Sequence, residues 1–290
     1  MYKLLPALLL STLAVHAAAA PDWHAIDWHV DSFAGAAPER LALLLPVTIN
    51  GVACRVQLDT GANGEFIWKR QASPERPLPP QTARVELAGI RKQIAADADS
   101  LALLTPEVCQ RSVIATVGNA FFEHGTLTLD FKRSRFAFAP QALLANDRDA
   151  QPLFYARWTG SGGHTLVEVR RDGAPPGYAL LDTGATRFGL AATNAGEWAE
   201  LSGGAPLAAS ATVRTFALES WGRNVQCYET DVQGRIAVGG QVLAQTRASY
   251  CVDHGFKAPI RLVGVLGLKP LGERVVTLDY LSGRWRLDGQ

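Results

Sequence analysis

Two short stretches of this 290-residue chain hold the residues best suited to chemistry: Asp59-Thr60-Gly61-Ala62 and Asp182-Thr183-Gly184-Ala185. Each directly follows a strand-like apolar run, Val56-Gln57-Leu58 in the first copy and Ala179-Leu180-Leu181 in the second. An Asp at the end of a buried strand, followed by Thr and Gly, sits where backbone N–H groups can reach its carboxylate, because glycine has no Cβ to block them. From ordinary residue frequencies, two such tetrapeptides are expected by chance on the order of 0.0001 times. Duplication explains them better. If a pseudo-two-fold axis relates the copies, Asp59 and Asp182 meet at it, and like charges about 3 Å apart cannot both ionise readily. Such a pair shares one proton and can hold one water, the ionised carboxylate taking a proton from it while the protonated one hydrogen-bonds a carbonyl under attack.

The elements that must position these loops also come in two copies. Val47-Thr48-Ile49 and Val52 to Leu58 flank Asn50-Gly51, a strong two-residue hairpin signal. Thr165 to Arg170 and Tyr178 to Leu181 flank a Gly/Pro-rich turn at Asp172 to Gly177. Downstream, Val117-Gly118 and Leu266-Gly267 open a second matched block, and Gly118 to Asp130 and Gly267 to Asp279 are both steps of 12 residues. Short hairpins then lead into Phe136-Ala137-Phe138 and Trp285-Arg286-Leu287. Between acidic loop and second block the second half is 26 residues longer. Frequent Gly and Pro and few long helical patterns add to an all-β expectation. The expected organisation is a leader at 1–19, an N-terminal segment at 20–40 and two homologous β lobes at 41–148 and 149–290, parting within Gln141 to Pro152.

These motifs resemble those of the aspartic peptidases, both retropepsin-like and pepsin-like, over about Leu41 to Leu287. The resemblance implies two β-barrel lobes related by a pseudo-two-fold with a cleft between them, and hydrolysis of peptide bonds in a polypeptide substrate. It makes Asp59 and Asp182 catalytic, has Thr60 and Thr183 link the loops, and gives Gly61, Ala62, Gly184 and Ala185 supporting places. The strands ending at Gly118 and Gly267 would thread behind the loops. No cofactor or metal is implied, and a monomer suffices because both halves lie in one chain. Flap candidates are Val85 to Ile94, turning at Ala88-Gly89, and Phe216 to Cys227, turning at Trp221-Gly222; an ordinary surface hairpin remains the alternative for the first, and a core role for Trp221. Trp68 resembles the Trp that follows the pepsin-like motif, and core packing suits it equally. Ala62 and Ala185 stand where pepsin-like enzymes carry a hydroxyl that would lower the carboxyl pKa, so the expected optimum is mildly acidic. Ala20 to Arg40 is shorter than a pepsin-like inhibitory prosegment. The competing readings are a non-catalytic peptide- or glycan-binding protein that keeps the fold, and an inhibitor or assembly scaffold.

Composition narrows the setting. Lys+Arg 28 against Asp+Glu 27 offers no electrostatic footprint for nucleic acid. Lys3, the apolar run Leu4 to Val15 and small residues through Ala20 have the layout of a cleaved secretory signal, too short for a bilayer span and followed by no lipid-anchoring cysteine. A periplasmic or secreted protein, free of the membrane after cleavage, is expected. Four cysteines allow three pairings. Cys54 with Cys109 and Cys227 with Cys251 keeps each bridge within one half, while the alternation of Cys54 with Val56 and Leu58 equally suits a buried free thiol. His24 and His29 lack metal-site spacing and fit a terminal strand or tail; His124, His164 and His254 are scattered, and Gly160 to Gly163 reads as a flexible turn.

Overall fold

The computed structural model describes residues 20–32, 37–69, 81–158, 160, 162–220, 223–243, 246–252 and 256–289. The leader at 1–19, the Trp221-Gly222 turn and His254 lie outside the described residues. The chain is all-β, with short helices between strands.

The first acidic loop is carried by the Val52–Leu58 strand, whose Cys54, Val56 and Leu58 alternate into the core. It forms a hairpin with Glu39–Ile49 through Asn50 and Gly51, both at positive φ, as a two-residue turn between right-twisted strands requires. On its other side it runs parallel to Val113–Val117, with Leu58 beside Val117. The second loop has the same setting. Gly177–Leu181 pairs antiparallel with His164–Arg171 and parallel with Gly264–Leu266, with Leu181 beside Leu266. In this copy Ala179, Leu180 and Leu181 are all buried rather than alternating, because both faces are covered: Leu180 packs with Leu166 and Leu262, and Ala179 and Leu181 join the main core.

The second matched blocks do more than echo each other. Thr126–Asp130 and Val275–Asp279 pair antiparallel with one another, Thr128 directly opposite Thr277, and each continues into its own hairpin with Arg135–Ala139 or Arg284–Asp288. Repeat-related strands therefore lie side by side in one continuous sheet. Their inward residues Leu127, Leu129, Phe136, Val276, Leu278, Trp285 and Leu287 belong to a single apolar cluster that also holds Val56, Leu58 and Leu181.

The hairpin expected at Val85 to Ile94 spans Gln81–Leu87 and Ile90–Ala96, turning at Ala88 and Gly89 with φ of 48° and 77°. It is bonded to the Glu39–Ile49 strand at Thr48 and Ile49, beside the Asn50 turn. Its counterpart pairs Arg214–Ser220 with Arg223–Asp231. The longer second half contains a helix, Ala195–Ser202, capped by the Asn194 side chain and ended by Gly203 at φ 68°. His24 and His29 lie on short N-terminal strands, Asp27–Asp31 pairing with Glu39–Ile49. Trp68 donates its indole N–H to Ala95 O and packs on Phe66.

Both bridges are Cys54–Cys109 and Cys227–Cys251, and no cysteine is free. Cys54 is thus a buried half-cystine, not a thiol. Two disulfides fit an oxidising compartment, and among the described residues no helix is long and apolar enough to cross a membrane. The loops closed are 55 and 24 residues in sequence separation. Chain-entropy scaling then gives about 4 kcal/mol for the first and about 3.5 kcal/mol for the second. In urea titrations, the Cys54→Ala/Cys109→Ala protein should therefore lose slightly more stability than Cys227→Ala/Cys251→Ala, and the reverse order would show that strain or local packing, not loop closure, sets the difference.

Candidate active site

Each tetrapeptide turns sharply off its strand. Asp59 N–H donates to Val117 O at 3.0 Å, and Asp182 N–H to Leu266 O at 2.9 Å, which fixes both aspartates at the ends of their parallel strand pairs. The carboxylate then folds over its own loop. Asp59 Oδ1 accepts from the N–H of Gly61 and Ala62 at 2.8 and 3.1 Å, and Asp182 Oδ1 from those of Gly184 and Ala185 at 2.7 and 3.2 Å.

The loops lock onto each other through their threonines. Thr60 N–H donates to Thr183 Oγ1 and Thr183 N–H to Thr60 Oγ1, both at 3.0 Å. The two hydroxyls donate in turn to the opposite strand ends, Thr60 to Leu181 O at 2.7 Å and Thr183 to Leu58 O at 3.0 Å. Both threonines are 1% exposed, so these bonds have no competition from water.

This exchange brings the two carboxyl groups close together, near enough for the charge on one to act on the other. Glycine is required at the next position but one because each loop lies against the other's aspartate: a Cβ on Gly61 would sit 2.7 Å from Asp182 Cγ, and one on Gly184 would sit 2.8 Å from Asp59 Cγ. Behind them, a Cβ on Gly118 would meet Ala62 O at 2.6 Å and one on Gly267 would meet Ala185 O at 2.3 Å, so the supporting strands press directly on the loop backbone.

Both aspartates remain half-buried. Burial raises the Asp59 carboxyl above the ordinary range, although its hydrogen bonds from Asp182, Gly61 and Ala62 oppose this. Asp182 is raised well above the ordinary value by burial, then by repulsion from Asp59 and its hydrogen bond with it. The pair therefore titrates as a unit that holds one proton. Among the described residues no group of three or more His, Cys, Asp or Glu is arranged to hold a metal ion.

All eight loop residues singled out in the sequence, Asp59 to Ala62 and Asp182 to Ala185, are gathered here. The Ala88-Gly89 turn is not joined to them by any of the contacts above; a Cβ on Gly89 would face open space. Residues with no catalytic motif of their own complete the site. Asn119, fully buried, donates to Thr60 O at 2.7 Å and Gly163 O at 3.1 Å, while its Oδ1 accepts from the hydroxyls of Thr165 and Tyr280. That fills all four bonds an amide can make. His164 Nδ1 faces Gly61 O at 3.2 Å. On the other side, Thr186 donates to Leu41 O at 2.8 Å and Arg187 pairs with Glu39 at 3.0 Å. The signal for Asn119 was its place directly after Gly118, where the second copy has the apolar Leu268.

Thr60→Val keeps the shape but leaves Leu181 O and the Thr183 N–H unpaired, and should cost roughly 2–4 kcal/mol in urea unfolding, with Thr60→Ser close to wild type. The folded pair binds its proton at higher pH than the unfolded chain does, so the stability it confers falls as pH rises from the ordinary carboxyl range through the pair's own. Asp182→Asn should accordingly have a higher Tm than wild type at pH 7, an advantage that disappears in acid; equal Tm values at pH 7 would deny the raised pKa. Protein-family models and curated proteins contain no match to this chain.

Proposed function

We propose that the chain is an exported aspartic endopeptidase, periplasmic or secreted, in which Asp59 and Asp182 jointly activate water. One observation carries this reading: the two half-buried carboxyl groups are held close together while two loops of the same sequence are cross-bonded around them. A binding cleft gains nothing from holding two like charges together, whereas hydrolysis needs one carboxyl in each protonation state.

In the proposed reaction a water lies against both carboxyls. Asp59, ionised, takes a proton from it as its oxygen attacks the carbonyl carbon of the scissile peptide, and Asp182 donates its proton to the carbonyl oxygen. The product of this step is a neutral gem-diol. Proton return to the amide nitrogen from Asp59, with Asp182 recovering a proton from the diol, breaks the C–N bond and restores the starting state. The chemistry needs no cofactor, since the protein supplies both acid and base. The reciprocal strand pairing of Thr126–Asp130 with Val275–Asp279 supports an arrangement of two related lobes, 41–148 and 149–290, with polypeptide held between them. Neither loop has a hydroxyl at Ala62 or Ala185 to stabilise the anions, which favours work at mildly acidic pH.

The test is incubation of the mature protein with unfolded polypeptide between about pH 3 and 7, beside Asp59→Asn and Asp182→Asn. Wild type should cleave with an optimum in mild acid, and each variant should lose at least about 1000-fold in kcat/KM. Equal cleavage by wild type and either variant, or tight peptide binding without turnover, would overturn the assignment.

A further inference from the structure

The two acidic loops have the same backbone bonds but different neighbours. Against the second loop stands the main chain at Leu41, which accepts from Thr186. Against the first stands an imidazole. His164 opens the His164–Arg171 strand, is 5% exposed, and turns Nδ1 toward Gly61 O. A carbonyl oxygen only accepts, so Nδ1 must carry the proton, and Nε2 is the atom that gains or loses charge.

The ring is held in place by two aromatics. Trp158 stacks on one face, with centroids 4.9 Å apart and planes 21° apart, and Phe256 meets it nearly edge-on at 4.9 Å. An indole face attracts a cation, which offsets part of the cost of charging a buried imidazole. Asn119 fixes the backbone immediately before it by donating to Gly163 O, from the same amide that holds Thr60 O. The ring's position is thus tied to the loop it faces.

Charged groups around His164 leave a single electrical partner. Asp59 on the first loop acts on it and favours its protonated form. Asp182 ends the strand beside it but is engaged with Asp59. Arg157, next to Trp158, is paired with Glu123 at 3.0 Å, and Lys257, next to Phe256, is exposed. Burial works in the opposite direction and holds the imidazole below its ordinary value.

We propose that His164 is a positioning residue for the acidic pair: as an imidazolium beside the first loop it favours the ionised form of Asp59, leaves the shared proton on Asp182, and so assigns base and acid to the two aspartates. No covalent step is involved. The catalytic consequence rests on the peptidase reading, but the electrostatic link between His164 and Asp59 does not.

Two measurements separate these levels. In proton NMR, the His164 imidazole should titrate at lower pH in Asp59→Asn than in wild type, because the variant lacks the anion. An unmoved His164 titration would overturn the proposal whether or not the protein cleaves anything. In kinetics, His164→Gln keeps an N–H donor for Gly61 O but carries no charge. The acid limb of its kcat/KM profile should move to higher pH, giving a loss on the order of tenfold on the acid side that diminishes toward the optimum. A uniform loss at every pH, with the limb in place, would mean that the ring only packs, and would also overturn the proposal. Absence of any wild-type cleavage would remove the peptidase reading and leave the NMR result to decide the link.

Discussion

Everything at the centre of this molecule depends on a hydrogen-bond exchange between Thr60 and Thr183. Two carboxyl groups repel each other once both are ionised and lose hydration when buried, so nothing intrinsic to them would keep them together. The threonines supply the constraint. Four bonds between 2.7 and 3.0 Å, all involving groups shielded from water, hold the loops at a spacing that the aspartates alone could not maintain. Gly61 and Gly184 make that spacing sterically attainable. The unfavourable proximity is thereby transferred to a raised proton affinity, which is the property that acid–base chemistry uses.

The backbone around the pair is close to symmetrical, and its surroundings are not. Asn119 and His164 hold the first loop to the start of the His164–Arg171 strand, whereas Thr186 and Arg187 hold the second loop to the start of Glu39–Ile49. The ties run in both directions between corresponding elements, but one set uses an amide and an imidazole and the other a hydroxyl and a guanidinium. The repeated tetrapeptide goes with the shared loop geometry. Divergence of side chains at the same places makes two chemically identical residues inequivalent.

Much of this was visible in the chain itself, for physical reasons that differ from feature to feature. The alternation of Cys54, Val56 and Leu58 and the Asn50-Gly51 turn are local, and local rules identify them. The equal steps from Gly118 to Asp130 and from Gly267 to Asp279 register a repeat, and those strands prove to be direct partners. His164 was hidden because its partner, Gly61, is 103 residues away and no periodicity links them. Asn119 was hidden for another reason: the repeat suggests that it should behave like Leu268, and only the approach of Gly163, Thr165 and Tyr280 makes an amide suitable there. The Ala195–Ser202 helix carries its start and stop signals at Asn194 and Gly203, but Gly196 inside it breaks the helical pattern that would have pointed to it.

The pairing of Thr126–Asp130 with Val275–Asp279 joins strands from the first and second halves of the repeat that are far apart in sequence. Contacts of such long range form late, because the loop between them must first be closed at an entropic cost. A ribosome delivers these partners far apart in time. Until the Val275–Asp279 strand has emerged, the first half has an open strand edge at Thr126–Asp130, and until Leu181 has emerged the Thr60 hydroxyl lacks its acceptor. Assembly of the acidic centre therefore waits on the second half of the repeat, a timing written into the order of the strands.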